Sequence, residues 1–325
     1  MRKNISIKNE EEVFYKWDEE SENNPTEYSI LFEIAKNQYR YELKVKKGTI
    51  LEENLYIKDS EEKFDALFER DEEGVYLCNE LNGFDIENMN ESLPLLSYIG
   101  MFKNIQKIDN ALRFFYNIQT IDFDAPDRDR TIFVKTLEKD KTRILNVVQS
   151  MGIDIIDVRM EYDEDGRVKN IYTKHKLENE KFRELKFEEE SSGTRKIFSI
   201  LPVVLNGIDK GRFFVIDELD AKLHPALLQR IIELFTNPKI NNNGAQMLFT
   251  SHDMTTMNNK VFRRDEIWFS AINGHDESVL YSLVDFRKEN GKKARNDEIY
   301  SKQYLEGRYG ADPYLKRIVN WEANE

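Results

Sequence analysis

Two adjacent acids, Asp217 and Glu218, follow directly on four large apolar residues, Phe213, Phe214, Val215 and Ile216. Carboxylates at the end of a buried segment are costly unless a cation or a reacting water takes them. The pair divides naturally: Asp217 suits a divalent metal, bound directly or through water, and Glu218 suits polarisation of an attacking water. A second set lies upstream. Ser191, Ser192, Gly193 and Thr194 stand immediately before an apolar helical run. A helix start leaves backbone N–H groups pointing outward, and the helix dipole adds partial positive charge, so this turn can hold a phosphate. An ordinary serine N-cap has the same signature. A third set is Asp220, in the loop after the acids, and His252, within Ser251-His252-Asp253. An imidazole there could contact a terminal phosphate and sense its loss, although taken alone His252 is more often a structural histidine, and the loop histidine His224 is about as often structural as functional.

Elements must position these groups. A continuous apolar run such as 213–216 reads as a strand of a parallel sheet, buried on both faces. Parallel sheets hold ligands at the carboxyl ends of their strands. Residues 246–251 predict a second short strand that ends at His252. The segment 192–205 predicts an apolar helix, and Pro225 marks the first turn of another helix over 227–235. Upstream, residues 28–34 and 39–45 alternate apolar and polar side chains around Lys36-Asn37-Gln38, a hairpin signal. Residues 51–57 and 74–78 continue that mode, which predicts an antiparallel β-subdomain over 27–80. Apolar residues at three- and four-residue steps from Leu93 to Ile118 predict one amphipathic helix or two in tandem. The pattern returns over 128–151 and stops at Gly152. A hairpin over 155–174 turns at Asp163-Glu164-Asp165-Gly166, a strand follows at 182–187, and a last strand pair surrounds Asn273-Gly274.

Composition excludes several classes. The 325 residues carry a net charge of −13, with 34% charged and 40% hydrophobic residues. That balance builds a core but argues against an evenly basic nucleic-acid binder. A local cluster of Arg287, Lys288, Lys292, Lys293 and Arg295 leaves a nucleic-acid contact open, with a solvated loop as the plainer reading. The single cysteine, Cys78, rules out an internal disulfide and fits a reducing, cytoplasmic setting. No apolar run is long enough for a membrane helix, and the start lacks the pattern of a secretion signal.

Taken in order, the Ser-Ser-Gly-Thr turn, the Asp-Glu strand, the Asp220 loop and the Ser251-His252-Asp253 strand end resemble the ABC-type ATPase lobe. The resemblance is to the branch that includes SMC proteins, overcoming-lysogenization proteins and AAA-like predicted ATP/GTP phosphatases of abortive-infection operons. Glu190 to Thr194 match its signature motif, with Glu190 where transporters carry leucine. Asp217-Glu218 match Walker B, Leu219-Asp220-Ala221 the D-loop, and His252 the switch histidine. The stretch Tyr304-Leu305-Glu306-Gly307-Arg308-Tyr309-Gly310-Ala311-Asp312-Pro313 is similar to the end of the abortive-infection group.

The resemblance implies an α/β fold of P-loop NTPase type, with a mainly parallel core sheet, an antiparallel β-subdomain and a helical arm insertion. It divides the chain into a β-subdomain (1–88), a helical arm with its hairpin (89–186), the ATPase lobe (187–290) and a tail (291–325). It further implies ATP and Mg2+ as ligands, a head-to-tail homodimer in which each signature closes over its partner's nucleotide, and an effector protein in phage defence. One part of the family pattern is missing. No G-x-x-x-x-G-K-[ST] loop occurs, and the sole Gly-Lys pair, Gly291-Lys292, has Phe286 where the first glycine belongs. The expectation is an N-terminally shortened member, through a misassigned start, a broken gene or supply of the loop by another polypeptide. Two other functions compete with an ATPase: a hydrolysis-deficient partner-binding module, and a metal-dependent nuclease of the overcoming-lysogenization type. Residues 254–325 are short for the latter and lack a second acidic cluster.

Overall fold

The computed structural model describes residues 14–58, 63–87, 89–121, 130–273, 276–287 and 299–309. The basic positions 288–295, the tail residues 310–313 and the N-terminal residues 1–13 lie outside the described residues. The chain divides into two compact units, Met1–Asn117 and Ile118–Glu325.

In the first unit, β1 (Thr26–Ile34), β2 (Asn37–Lys46), β3 (Thr49–Lys58), β4 (Asp65–Arg70) and β5 (Val75–Leu77) form an antiparallel sheet in chain order. Alternation along the strands sends Phe32, Tyr39, Tyr41, Leu55 and Ile57 to one face. Two helices, α1 (Leu95–Phe102) and α2 (Gln106–Tyr116), share that core through Leu95, Leu96, Ile99, Ile108, Ala111 and Leu112. The β1–β2 turn falls on Ala35 and Lys36, with φ of 53° and 67°. Two consecutive left-handed residues make the tight hairpin turn that matches strand twist. The 36–38 site expected from sequence lies slightly downstream because Asn37 and Gln38 belong to β2.

A buried carboxylate ties sheet to helix here. Glu53 accepts from the backbone N–H of Leu95 (2.5 Å) and Leu96 (2.9 Å) and from the Tyr41 hydroxyl (3.0 Å). Arg70 Nη1 stands 3.7 Å away and also donates to the Leu93 carbonyl. Glu53 thus satisfies the unpaired amides at the start of α1. Burial still pushes its carboxyl above the ordinary value, against the pull of those donors and the guanidinium.

The second unit opens with β6 (Ile118–Ile121) and α3 (Arg130–Ser150), which kinks at Asp140. Three antiparallel strands follow, β7 (Asp157–Tyr162), β8 (Val168–Lys176) and β9 (Phe182–Lys186). The acids of the β7–β8 turn serve that turn: Asp163 Oδ1 accepts from the amides of Asp165 and Arg167. Next come α4 (Ser192–Asp209), β10 (Phe213–Ile216), α5 (Pro225–Thr236) and β11 (Gln246–Phe249). A hairpin, β12 (Trp268–Ile272) and β13 (Ser278–Ser282), and α6 (Tyr300–Leu305) complete the described elements. Of the tail stretch singled out from sequence, Tyr309 packs against Phe269 and takes a hydrogen bond on its carbonyl from the Tyr281 hydroxyl (2.5 Å).

The strands that matter for the site are β11, β10 and β6, adjacent in that order and parallel. Ile118, expected from its spacing to close the helical stripe, instead opens β6 and pairs with Phe213. Arg212 Nη1 fastens β6 to the start of β10 through Gln119 Oε1 (2.7 Å). Helices α4 and α5 bury Ile197, Leu201, Val204, Leu228 and Ile231 in one core with Phe214 and Ile216. Gly207 permits this packing, since a Cβ there would meet Phe214 Cζ at 2.1 Å. Among the described residues no helix is long and apolar enough to cross a membrane.

Candidate functional site

The acid edge is built by two parallel strands ending together. Ile216 of β10 is level with Phe249 of β11. The ladder runs on past both ends: the Thr250 amide donates to the Ile216 carbonyl and the Leu219 amide to the Thr250 carbonyl, each at 3.1 Å. Thr250 then does two things with one hydroxyl. It accepts from the Glu218 amide at 2.8 Å and donates to Asp217 Oδ1. Both acids are exposed. Glu218 has φ of +48°. A non-glycine residue held in the left-handed region costs about 1–3 kcal/mol and persists only where its surroundings enforce it.

His252 lies beyond Thr250, with Nε2 4.0 Å from Glu218 Oε1. The side chains are 88% and 62% exposed, so this pair faces solvent and contributes little to stability. The His252 amide donates to Asp220 Oδ1 at 3.2 Å, which draws the Asp220 loop to the same edge. Four of the residues singled out from sequence, Asp217, Glu218, Asp220 and His252, therefore meet at the ends of β10 and β11. The neighbouring Asp253 is turned to the chain: burial pushes its carboxyl up, and hydrogen bonds from Thr255 and Thr256 outweigh that and leave it below the ordinary value.

The Ser-Ser-Gly-Thr turn starts α4. Ser191 is the N-cap, accepting from the Thr194 amide at 3.1 Å, with its hydroxyl 2.8 Å from that of Thr194. Ser191 and Ser192 are exposed, and Gly193 and Thr194 are partly covered. Glu190, just before the cap, turns inward. It accepts from the Thr173 hydroxyl and lies 2.6 Å from His175 Nε2, both on β8, and its side chain is 8% exposed. This acid is an anchor between the turn and the antiparallel sheet.

The α4 turn and the acid edge are joined from behind. A Cβ on Gly193 would stand 3.4 Å from the Lys222 carbonyl. One turn into α4, the buried Lys196 donates from Nζ to the carbonyls of Glu218 (3.5 Å), Leu219 (3.2 Å) and Ala221. Lys196, Thr250, Thr173 and His175 all escaped sequence reasoning. Lys196 left a trace, because it is a charge on the apolar face that also carries Ile197, Leu201 and Val204. Thr250 left another, as a hydroxyl two positions before His252 at the end of an apolar segment.

The donor chemistry fits Mg2+. Asp217 and its neighbour present hard carboxylate oxygens, and Mg2+ takes one or two carboxylates together with phosphate oxygens and water. Among the described residues no cluster of three or more His, Cys, Asp or Glu side chains is placed to hold a metal, so Asp217 and Glu218 offer a partial set.

A family model described as "AAA domain, putative AbiEii toxin, Type IV TA system" matches residues 5–258. That span contains every site residue named above. No curated protein matches the chain.

Proposed function

The chain belongs to the AbiEii-toxin-type AAA-domain family, a family of nucleotide-binding ATPases, and from that premise we propose that the edge formed by β10 and β11 hydrolyses ATP with Mg2+. The observation that carries this reading is Glu218: an exposed carboxylate in a left-handed conformation, 4.0 Å from an exposed imidazole, at the end of parallel strands. Residues held this way cluster at sites of chemistry.

In this reading Asp217 holds the metal, with its carboxylate oriented by Thr250. The metal, when bound, supplies charge neutralisation at the phosphates. Glu218 orients and polarises the attacking water, and His252 contacts the terminal phosphate. Ser191, Ser192, Gly193 and Thr194 present amides and hydroxyls to the nucleotide of a facing copy, and Asp220 lines that junction. The assembly is then a head-to-tail homodimer that drives or gates an effector protein in bacterial phage defence.

A second reading has its own observation. These 325 residues contain no G-x-x-x-x-G-K-[ST] loop, the element whose amides and lysine cradle phosphates. A hydrolysis-deficient module that keeps only partner-docking surfaces accounts for that. Phosphate release from ATP, with and without Mg2+, for the chain and for Asp217→Asn separates the two. Turnover that requires Mg2+ and disappears in Asp217→Asn supports the ATPase. No turnover, together with no nucleotide binding up to millimolar ATP, supports the module.

A further inference from the structure

We propose that Lys196 is the positioning residue for Glu218: its buried ammonium clamps the loop 218–221 from the first turn of α4, so the acid edge and the Ser191–Thr194 turn are set as one piece. This inference rests on the reading of Glu218 given above.

An ammonium group has three donors, and burial makes each of them expensive to leave unused. Lys196 directs Nζ at three carbonyls, those of Glu218, Leu219 and Ala221, 22 to 25 positions away in sequence. A buried lysine on an apolar helix face is a poor choice for packing alone, since a leucine or methionine would bury there without desolvation cost. Its use here is geometric. The carbonyls it holds belong to the segment in which Glu218 takes φ of +48°. Thr250 fixes that segment from the strand side through the Glu218 amide; Lys196 fixes it from the helix side through the carbonyls. Gly193, where a Cβ would stand 3.4 Å from the Lys222 carbonyl, lies on the same seam. The Ser191–Thr194 turn and the Glu218 backbone are thereby tied to each other within one chain.

Hydrogen exchange and turnover of Lys196→Met test this together. Four amides report the loop: Glu218, Leu219, Ala221 and Leu223, which donate to Thr250 Oγ1, the Thr250 carbonyl, the Glu218 carbonyl and the Asp220 carbonyl. Their exchange is expected to accelerate at least about tenfold in the variant, while the amides of β7, β8 and β9 keep their rates. In the turnover arm, kcat is expected to fall about 100-fold with KM for ATP changed less than about threefold, because a displaced general base affects the chemical step rather than nucleotide binding. Lys196→Arg, which keeps the charge, should recover part of the loss. Unchanged exchange at 218–223 overturns the clamp. Acceleration spread evenly over the second unit also overturns it, since that marks a merely structural lysine. A raised KM with kcat intact does the same. Absence of turnover in the unsubstituted chain, with loop exchange still accelerated in Lys196→Met, leaves the clamp standing and removes the ATPase reading instead. If Lys196→Met fails to fold, Lys196→Gln, which retains a donor, gives the same two readouts.

Discussion

Glu53 and Glu218 are both glutamates set by β-strands, one in each unit, and they are held in opposite ways. Glu53 lies inside β3, wholly buried, with two amides, a tyrosine hydroxyl and a guanidinium around it. Its oxygens are committed to the chain. Glu218 lies just past β10, exposed, with its backbone rather than its carboxylate tied down. The protein holds the main chain of Glu218 from both sides and leaves the side chain free to meet water or substrate. The contrast separates a carboxylate that builds the fold from one available for chemistry.

The largest expected effect is on stability in the first unit. Glu53→Ala leaves the first amides of α1 without their acceptor and Arg70 without its counter-charge, although Arg70 keeps the Leu93 and Glu91 carbonyls; breaking a buried pair in this way costs about 3–5 kcal/mol. Glu218→Ala should change stability by about 0.5 kcal/mol or less, because nothing buried loses a partner. Urea melts of the two variants side by side check the comparison; equal losses would break it.

Thr250→Val comes next. It removes the hydroxyl that serves Asp217 and the Glu218 amide at once and keeps the side-chain shape. The expected stability loss is about 1 kcal/mol, typical of one or two hydrogen bonds. Loop amides at 218 and 219 should exchange faster, with the first unit unaffected.

The smallest effect is in pH dependence. The Glu53 carboxyl is raised by burial, so its contribution to stability is fully present below the ordinary glutamate value of 4.5 and is lost as pH rises through the raised folded value. Asp253 has the opposite sign: burial raises it, hydrogen bonds from Thr255 and Thr256 outweigh that, and its contribution is present above 3.8 and lost as pH falls. Urea midpoints of the unsubstituted chain and Glu53→Gln should therefore converge as pH is lowered toward 4.5 and diverge in the variant's favour as pH rises. A difference that does not vary with pH would contradict the assignment.

What could be read from the sequence is what is local. Asp217 and Glu218 announce themselves because four apolar residues run straight into two acids. His252 is legible because it follows closely on the next strand segment, β11. The Ser191 turn shows because a cap and its helix are neighbours in the chain. Lys196, Thr250 and Glu53 are different. The partners of Lys196 are more than 20 residues away, Thr250 bonds across 32 or 33 positions, and Glu53 meets α1 across 42 or 43. No periodicity carries such distances. Strand β6 was hidden for another reason. Ile-Gln-Thr-Ile is short and mixed in polarity, and Ile118 continues the helical spacing of α2, so only pairing with β10 decides the matter. The Ala35-Lys36 turn carries neither glycine nor asparagine, the usual markers of left-handed residues.

Glu218 is the group proposed to activate water, and the most direct measurement is ATP turnover by Glu218→Gln beside the unsubstituted chain at saturating Mg2+ and ATP. The substitution keeps size and hydrogen bonding and removes only the base. With Glu218 as the base, kcat falls about 100-fold or more with nucleotide affinity retained; equal rates in the two proteins would contradict that role.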